Sequence, residues 1–156
     1  MNADDDVQIR LATAEEVIDL RHAVLRTGFP REAAIYDVDA LPTTRHLVAV
    51  AGDAAGGARI VGCATIFPEP FEHRPDAWRL RGMAVDPDFH GAGVGRKILA
   101  ALDDMMRAHA PARPPLLWCN ARVTAIGFYQ RCGWRIVSGV FDVPTVGPHV
   151  NMTRQV

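Results

Sequence analysis

The chain has 156 residues, of which 49% are hydrophobic and 22% are charged. These are the proportions of an ordinary globular protein with a sizeable core, and they exclude a disordered chain. The 17 lysine and arginine residues nearly balance the 18 aspartate and glutamate residues, for a net charge of -1, and no basic stripe stands out. Neither nucleic acid nor an anionic membrane is therefore an expected partner, and we expect a single domain over residues 1–156.

The N-terminal residues and the cysteines indicate a cytoplasmic protein. Residues Met1–Asp6 are acidic where a secretory signal would be basic and then apolar, and we expect them to be flexible. No apolar run reaches the roughly 18 residues that a membrane span requires. Cys63, Cys119 and Cys132 are odd in number and lack the spacing of metal ligands. We therefore expect reduced, buried thiols and no metal. We also expect a monomer or a homodimer.

The first half of the chain is predicted to hold one helix among several strands. Thr13 and Glu16 form the capping-box pattern that opens a helix, and Gly28 with Pro30 ends it. Residues 31–44 show no clear period and are predicted to be a loop or a broken helix. Apolar runs bounded by turn residues predict four strands, over 7–11, 46–50, 59–67 and 78–85, with a glycine-rich loop over 52–57.

The second half of the chain is predicted to alternate strands and helices. A long helix with one apolar side follows residues 90–95, and a shorter helix over 123–132 ends with Gly133 as its cap. Strands are predicted over 116–119, 134–143 and 149–153. The strands of the first half are expected to pair antiparallel, whereas strand–helix–strand units require parallel neighbours. The expected fold is an α/β mixed sheet, mostly antiparallel, of six to seven strands flanked by about four helices.

The most informative segment is the turn that joins the fourth strand to the long helix, with glycines at Gly91, Gly93 and Gly95. Alternating glycines let backbone amides approach a ligand, and a helix start leaves N–H groups free at its positive end, so this turn is typical of a phosphate cradle. A tight strand-to-helix connection that merely needs glycine is the other reading. The Walker loop and the dinucleotide fingerprint are excluded by spacing, because Arg96 and Lys97 stand where those motifs need other residues.

This turn resembles the acyl-CoA motif of the GNAT superfamily of acyl-CoA-dependent N-acyltransferases, Gln/Arg-x-x-Gly-x-Gly/Ala. Gly93 and Gly95 match it, and His90 stands at its first position. Residues 125–134 are similar to the family's second landmark, Asn-x-x-Ala-x-x-Phe-Tyr-x-x-x-Gly-Phe, with Arg122 at the Asn position. The resemblance covers nearly the whole chain, and its details are similar to the ElaA-like members of the family.

The resemblance implies acetyl-CoA as the acyl donor, held where the fourth strand splays from its neighbour. The backbone of that strand would pair with the pantetheine arm, at Met83, Ala84 and Val85. The turn and helix start would hold the pyrophosphate, through His90, Gly91, Ala92, Gly93, Val94, Gly95 and Arg96. Lys97 either adds charge there or is solvated surface. Asn120 either binds the cofactor arm or serves a turn or helix cap, and Phe128 is a core aromatic residue that also contacts the cofactor.

The resemblance also implies the chemistry, in which an amine attacks a thioester directly. This requires a deprotonated amine, a stabilised oxyanion and a proton for the leaving thiolate. Tyr129 stands at the family's position for the acid, and the other reading makes it a core aromatic residue. His149 is placed near the acceptor site as a candidate base. Water-relayed deprotonation and the titratable residues of the loop before the fourth strand (Glu69, Glu72, His73 and Asp76) remain open alternatives.

The expected activity is transfer of an acetyl group from acetyl-CoA to a primary amine of a small molecule. A non-catalytic acyl-CoA-binding module is the alternative, and it would keep the glycine turn while losing the acid. Arg79 and Arg81 alternate on their strand and either bind an acidic acceptor or pair with the nearby glutamates.

Overall fold

The computed structural model describes residues 6–52 and 56–156, so the predictions for residues 1–5 and 53–55 lie outside the described residues. No helix within the described ranges is long and apolar enough to cross a membrane. The elements are β1 (Val7–Ala12), α1 (Ala14–Leu25), η1 (Arg31–Ala34), β2 (Arg45–Gly52), β3 (Ala58–Pro68), β4 (Trp78–Val85), η2 (Pro87–Phe89), α2 (Val94–His109), β5 (Leu116–Arg122), η3 (Val123–Ala125), α3 (Ile126–Arg131), β6 (Arg135–Ile136), β7 (Phe141–Val143) and β8 (Gly147–Gln155), where η marks a short 3-10 helix.

The strands form a mixed sheet with the order β1-β2-β3-β4-β5-β8-β6, and β7 pairs with β8. β4 and β5 run parallel. β1 with β2, β2 with β3, and β8 with β5, β6 and β7 run antiparallel. The predicted mixed, mostly antiparallel sheet is confirmed, with eight strands and three α-helices in the described residues instead of six to seven strands and about four helices.

The prediction of one strand over 134–143 is wrong, because the structure divides this segment into β6 and β7. Both pair with β8, at Arg135–Ile136 and at Phe141–Val143. Between them the Ser138 hydroxyl oxygen accepts a hydrogen bond from the Asn151 amide at 2.8 Å. A side chain thus takes a donor that a regular ladder gives to a backbone carbonyl, and the strand is interrupted there.

The placement of β8 also differs from the expectation of parallel neighbours in the second half. β4 and β5, joined by α2, are parallel neighbours as predicted. β5 and β6, joined by α3, are not neighbours, because β8 lies between them and pairs antiparallel with both. β8 therefore occupies the position beside β5 that the expectation of parallel neighbours assigned to β6.

Among the described residues, 6–52, 56–67 and 82–104 form one compact unit. Its core contains Val17 from α1, Val48 from β2, Cys63 from β3 and Ala84 from β4, all at most 3% exposed. Burial of these apolar side chains is the main force that holds α1 on its strands. β4 therefore contributes Ala84 to this core.

The start of α1 confirms the predicted capping box. The Glu16 carboxylate accepts the Thr13 amide at 3.0 Å, and the Thr13 side chain takes part in the reciprocal bond. Arg10 donates to the same carboxylate at 2.6 Å. These hydrogen bonds, that of Arg10 first, lower the pKa of Glu16 to about 2.

Residues 68–81 and 105–156 form the second compact unit, built on the antiparallel pair β5 and β8. Because side chains alternate along a strand, this pair has two distinct faces. One face is apolar and buried, with Leu117, Cys119, Ala121, Val150 and Met152 at most 3% exposed. The other face is mostly polar and holds Trp118, Asn120, Arg122, His149, Asn151 and Thr153.

The end of α3 confirms Gly133 as the residue that terminates the helix, with a φ of +86°. Its amide donates to the Gln130 carbonyl, and the Trp134 amide donates to the Tyr129 carbonyl, both at 3.0 Å. This is the Schellman arrangement, which needs a left-handed residue just after the helix.

We expect Gly133→Ala to destabilise the fold, because an L residue in the left-handed region costs roughly 1–2 kcal/mol. For a chain of this size that lowers the melting temperature by about 2–8 °C, measured by circular dichroism. Gly139→Ala is the matched control, since its φ is not positive and a Cβ there meets no atom within 4 Å. Equal melting temperatures for the two variants would contradict the prediction.

Candidate active site

The glycine turn is a strand–turn–helix connection, as predicted. β4 ends at Val85, Gly91 and Gly93 have φ values of +80° and +79°, and α2 begins at Val94. The first helical hydrogen bond runs from the Lys97 amide to the Gly93 carbonyl at 3.0 Å. The amides of the first three helical residues, Val94, Gly95 and Arg96, therefore precede the first bond of the helix and lie at its positive end.

The turn fits a phosphate group in its backbone geometry. Gly91 and Gly93 are exposed, and a Cβ added at Gly91 would meet no atom within 4 Å. Arg96 is also exposed, whereas Gly95 is buried. Exposed glycines next to the positive end of a helix are an arrangement that binds anions at helix starts.

His90 has a role that the sequence analysis did not anticipate. Its Nε2 lies 3.1 Å from the carbonyl oxygen of Val85. A carbonyl only accepts, so Nε2 carries the hydrogen and the neutral ring presents Nδ1 as an acceptor. A neutral His90 therefore donates its only N–H to the carbonyl of Val85, the last residue of β4. Only the protonated ring has a second N–H that could be donated to a phosphate.

β4 changes direction at Gly82, three residues before its end. Gly82 has a φ of +63° inside the strand, and glycine in such a position marks a local irregularity. The Cys63 thiol donates to the Gly82 carbonyl at 3.5 Å. Beyond this point Ala84 is buried, whereas Met83 and Val85 are half-buried.

The parallel ladder between β4 and β5 is short. It consists of two residue pairs, Trp78 with Leu117 and Arg79 with Trp118. β4 has eight residues and β5 has seven. The pairing is therefore confined to the start of each strand.

Tyr129 lies on α3 in an aromatic setting. It is 7% exposed, and its ring contacts Phe128 edge-on at 5.1 Å and Trp134 at 5.4 Å between ring centroids. Burial, followed by the neighbouring thiols Cys119 and Cys132, raises the pKa of Tyr129 well above its usual value. The phenol is therefore protonated at neutral pH. Phe128 is half-buried.

Asn120 is the fifth residue of β5 and lies within the strand, so the turn or helix-cap reading of this residue is wrong. β5 continues to Arg122, whereas the predicted strand ended at Cys119. Asn120 stands opposite Asn151 in the ladder, and Asn151 Nδ2 donates to Asn120 Oδ1 at 2.7 Å. This bond holds the Asn120 amide in one orientation and turns its Nδ2 away from Asn151.

His149 lies on the polar face of the β5–β8 pair, opposite Arg122 on β5 and Phe141 on β7. It is 6% exposed, so it is not a residue of the outer surface. Its Nδ1 lies 2.7 Å from the Gly147 carbonyl oxygen, and its ring stacks on Phe141 at 6.2 Å. Because that carbonyl only accepts, Nδ1 carries the hydrogen, and neutral His149 keeps a lone pair on Nε2.

Two ion pairs lie at the start of β4 and in the loop before it. Arg79 donates to Glu69 at 3.1 Å and lies over the Trp118 ring at 4.8 Å. Phe71 stacks on the same ring at 4.8 Å. Of the two readings for Arg79, pairing with a nearby glutamate is the one present in the structure. Asp76 pairs with Arg74, whose hydrogen bond lowers the pKa of Asp76.

The three cysteines are free thiols, with Cys63 and Cys119 buried and Cys132 half-buried. Burial raises the pKa of Cys63 to about 11 and that of Cys119 to about 12. Both are therefore inert, protonated core residues at neutral pH. Within residues 6–52 and 56–156, no three histidine, cysteine, aspartate or glutamate residues are grouped so that they could hold a metal ion.

The structure shows three further residues that the sequence did not single out. Asn151 orients Asn120, and Phe141 stacks on His149; no local signal marks either of them, because both contacts depend on the β8 register. Arg21 is fully buried on α1. A signal for it exists, since Arg21 lies four residues after Val17 on the apolar side of the helix.

Comparison with known proteins identifies the family. The profile described as "Acetyltransferase (GNAT) domain" matches residues 42–136. The uncharacterized N-acetyltransferase YitI of Bacillus subtilis (strain 168) is 26% identical over 150 residues, which are 95% of each chain. This is a similarity over nearly the whole length of both proteins.

Solved structures show the same fold at lower identity. Escherichia coli ElaA has a TM-score of 0.74 at 18% identity, over 95% of this chain and 99% of that one. An aminoglycoside 6'-N-acetyltransferase complexed with coenzyme A has a TM-score of 0.69 at 14% identity, over 94% and 96% of the two chains. These comparisons confirm the resemblance inferred from the two motifs. The chain belongs to the GNAT acetyltransferase family and is an N-acetyltransferase, a class that takes its acyl group from acetyl-CoA.

Proposed function

We propose that this chain transfers an acetyl group from acetyl-CoA to a primary amine of a small molecule, with Tyr129 as the acid and His149 as the base. The observation that carries the proposal is the glycine turn. Its exposed glycines and the free amides at the start of α2 form a backbone cradle that suits a pyrophosphate. Arg96, exposed in the first turn of α2, adds a positive charge to it.

The pantetheine arm is proposed to pair with the backbone of β4. The short β4–β5 ladder supports this, because the β4 backbone beyond Arg79 has no β5 partner in that ladder and can offer hydrogen-bonding groups on that side. Met83 and Val85 are the half-buried residues of that stretch. Asn120, whose amide is held in one orientation by Asn151, is proposed to donate from Nδ2 to the cofactor arm, as the family resemblance implies.

Acetyl-CoA supplies an acyl group activated as a thioester, and the residues of the chain manage two protons. The amine nitrogen bonds to the acyl carbon and the carbon–sulfur bond breaks. His149 Nε2 takes the proton that the attacking amine loses, since its lone pair is free for that purpose. Tyr129 gives its hydroxyl hydrogen to the leaving sulfur, and its raised pKa keeps that hydrogen in place until then.

Replacing His149 with alanine tests the base. Loss of a general base lowers turnover by about 10²–10⁴-fold, while acetyl-CoA continues to stabilise the variant against heat, because the glycine turn is untouched. His73→Ala is the comparison, because it removes an exposed loop histidine that is one of the alternative candidates. If His149→Ala keeps wild-type turnover, or His73→Ala alone loses it, the assignment is wrong.

The acceptor is identified by a thiol-release assay with acetyl-CoA against amines, amino acids, polyamines, aminoglycosides and peptides. The expected result is release of coenzyme A with at least one small amine. A protein that acetyl-CoA stabilises but that releases no thiol with any acceptor would be a binding module without catalysis. A protein that acetyl-CoA does not stabilise at all would contradict the cofactor assignment itself.

A further inference from the structure

Arg21 of α1 is a fully buried arginine with its guanidinium held on several sides. Nη1 donates to Asp39 Oδ2 and to the Ala34 carbonyl, both at 2.7 Å. Nη2 donates to Asp39 Oδ1 at 3.2 Å and to the Thr65 hydroxyl at 2.7 Å. The face of the guanidinium lies 3.9 Å from the ring centroid of Tyr36. The side chain therefore has a single defined position.

The partners of Arg21 are themselves buried and bonded. Asp39 is 7% exposed and also accepts the Tyr36 amide at 2.8 Å. Thr65 is fully buried and bonds to His46 Nδ1 at 2.8 Å, and His46 Nε2 bonds to the Asp39 carbonyl at 3.0 Å. A buried ion pair contributes little to stability compared with an apolar replacement. Because stability alone does not account for this buried pair, its presence is consistent with a role in positioning a neighbouring segment of backbone.

The group that Arg21 contacts on its remaining edge is the backbone of β4. Arg21 Nε is buried and has no hydrogen-bond partner. A Cβ added at Gly82 would lie 2.7 Å from that Nε and 3.3 Å from Cζ. Gly82 is also the residue whose φ of +63° turns the strand. The strand thus bends where the guanidinium lies against it, and only glycine allows both.

We propose that Arg21 is a positioning residue for acetyl-CoA, which sets the bend of β4 at Gly82 and thereby the backbone of Met83 and Val85. This rests on the proposed function, in which that backbone binds the cofactor arm. Arg21 acts through the strand and does not touch the reacting atoms. Two residues of β3 support the same bend. Thr65 accepts a hydrogen bond from Arg21 Nη2, and the Cys63 thiol donates to the Gly82 carbonyl.

The test replaces the ion pair as a unit, with Arg21→Met and Asp39→Asn in one protein, so that no unpaired charge is left buried. The expected result is a loss of about 10²-fold in kcat/KM for acetyl-CoA, the size that a small misplacement of a bound group produces. The KM for the amine is expected to stay unchanged. Arg10→Met is the matched control, because it removes the ion pair of an exposed arginine with Glu16, outside the network.

A second measurement is independent of activity. Amide hydrogen exchange of Met83, Ala84 and Val85 is expected to accelerate in the double variant, while exchange in the helical interior of α2 remains as in the wild type. A folded double variant with wild-type affinity for coenzyme A and wild-type exchange at these amides would overturn the proposal. A purely structural role would lower the melting temperature without moving either quantity.

Thr65→Val decides the question if the double variant does not fold. It keeps the Arg21–Asp39 pair and removes the hydroxyl that bonds both Arg21 Nη2 and His46 Nδ1, so a smaller loss of coenzyme A binding and a smaller acceleration of exchange at Met83–Val85 are expected. Unchanged values would overturn the proposal. A wild-type protein that fails to bind coenzyme A would contradict the proposed function instead, and the exchange comparison would still decide whether Arg21 sets the strand.

Discussion

Gly93→Glu is expected to abolish the stabilisation of the fold by acetyl-CoA. In the wild type, a ligand at about 100 times its dissociation constant adds roughly 2.7 kcal/mol, which raises the melting temperature of a chain of this size by about 5–11 °C. The glutamate places an anion in the cradle where the pyrophosphate is proposed to bind. Its side chain also disfavours the φ of +79° that brings the turn amides together. The melting shift with and without acetyl-CoA is the measurement.

Two control variants separate the causes. Gly93→Ala carries the backbone cost without the charge, so it is expected to keep part of the shift. Gly52→Glu adds the same charge at a glycine with no positive φ and no atom within 4 Å of a Cβ, and it is expected to keep the full shift. A folded Gly93→Glu protein that acetyl-CoA still stabilises by the wild-type amount would show that the turn has been misassigned.

Tyr129→Phe is expected to lower turnover by about 10²–10⁴-fold while coenzyme A binding changes little, as befits the loss of a general acid. The substitution removes one oxygen and leaves the ring, so its edge-on contacts with Phe128 and Trp134 survive. The measurements are kcat with saturating acetyl-CoA and the melting shift with coenzyme A. Wild-type turnover in this variant would return Tyr129 to the role of a core aromatic residue.

The pH dependence adds a second check on Tyr129. Burial raises the pKa of its phenol well above the usual value of 10.0, so the hydroxyl stays protonated through the range in which an exposed tyrosine would ionise. Turnover is therefore expected not to fall near pH 10 through loss of this proton. Because the folded state binds the proton more tightly than the unfolded state, this group stabilises the fold fully below the unfolded pKa. That contribution is lost as the pH rises toward the folded pKa.

The parts of this protein that could be predicted from its sequence are those set by interactions between residues close together in the chain. The capping box at Thr13 and Glu16, the left-handed residue at Gly133, and the strand–turn–helix connection through Gly91 and Gly93 each depend on neighbours within about five residues. Their backbone requirements are strict enough that few other conformations satisfy them. The two family motifs lie on the glycine turn and on the helix that Gly133 terminates, so the resemblance and the cofactor expectation also depended on short-range sequence.

Tertiary structure alone decided how distant segments meet. β8 lies between β5 and β6 because pairing between strands is not limited by their separation in the chain, and this register places Asn151 opposite Asn120 and His149 opposite Arg122. Arg21 meets Asp39, 18 residues away, and the turned backbone of Gly82 far along the chain. A buried charge is stable only when such distant partners surround it, and no periodicity in the sequence specifies them. The sequence therefore supplies the glycine at which β4 bends, whereas the packed fold supplies the buried Arg21 that lies against it.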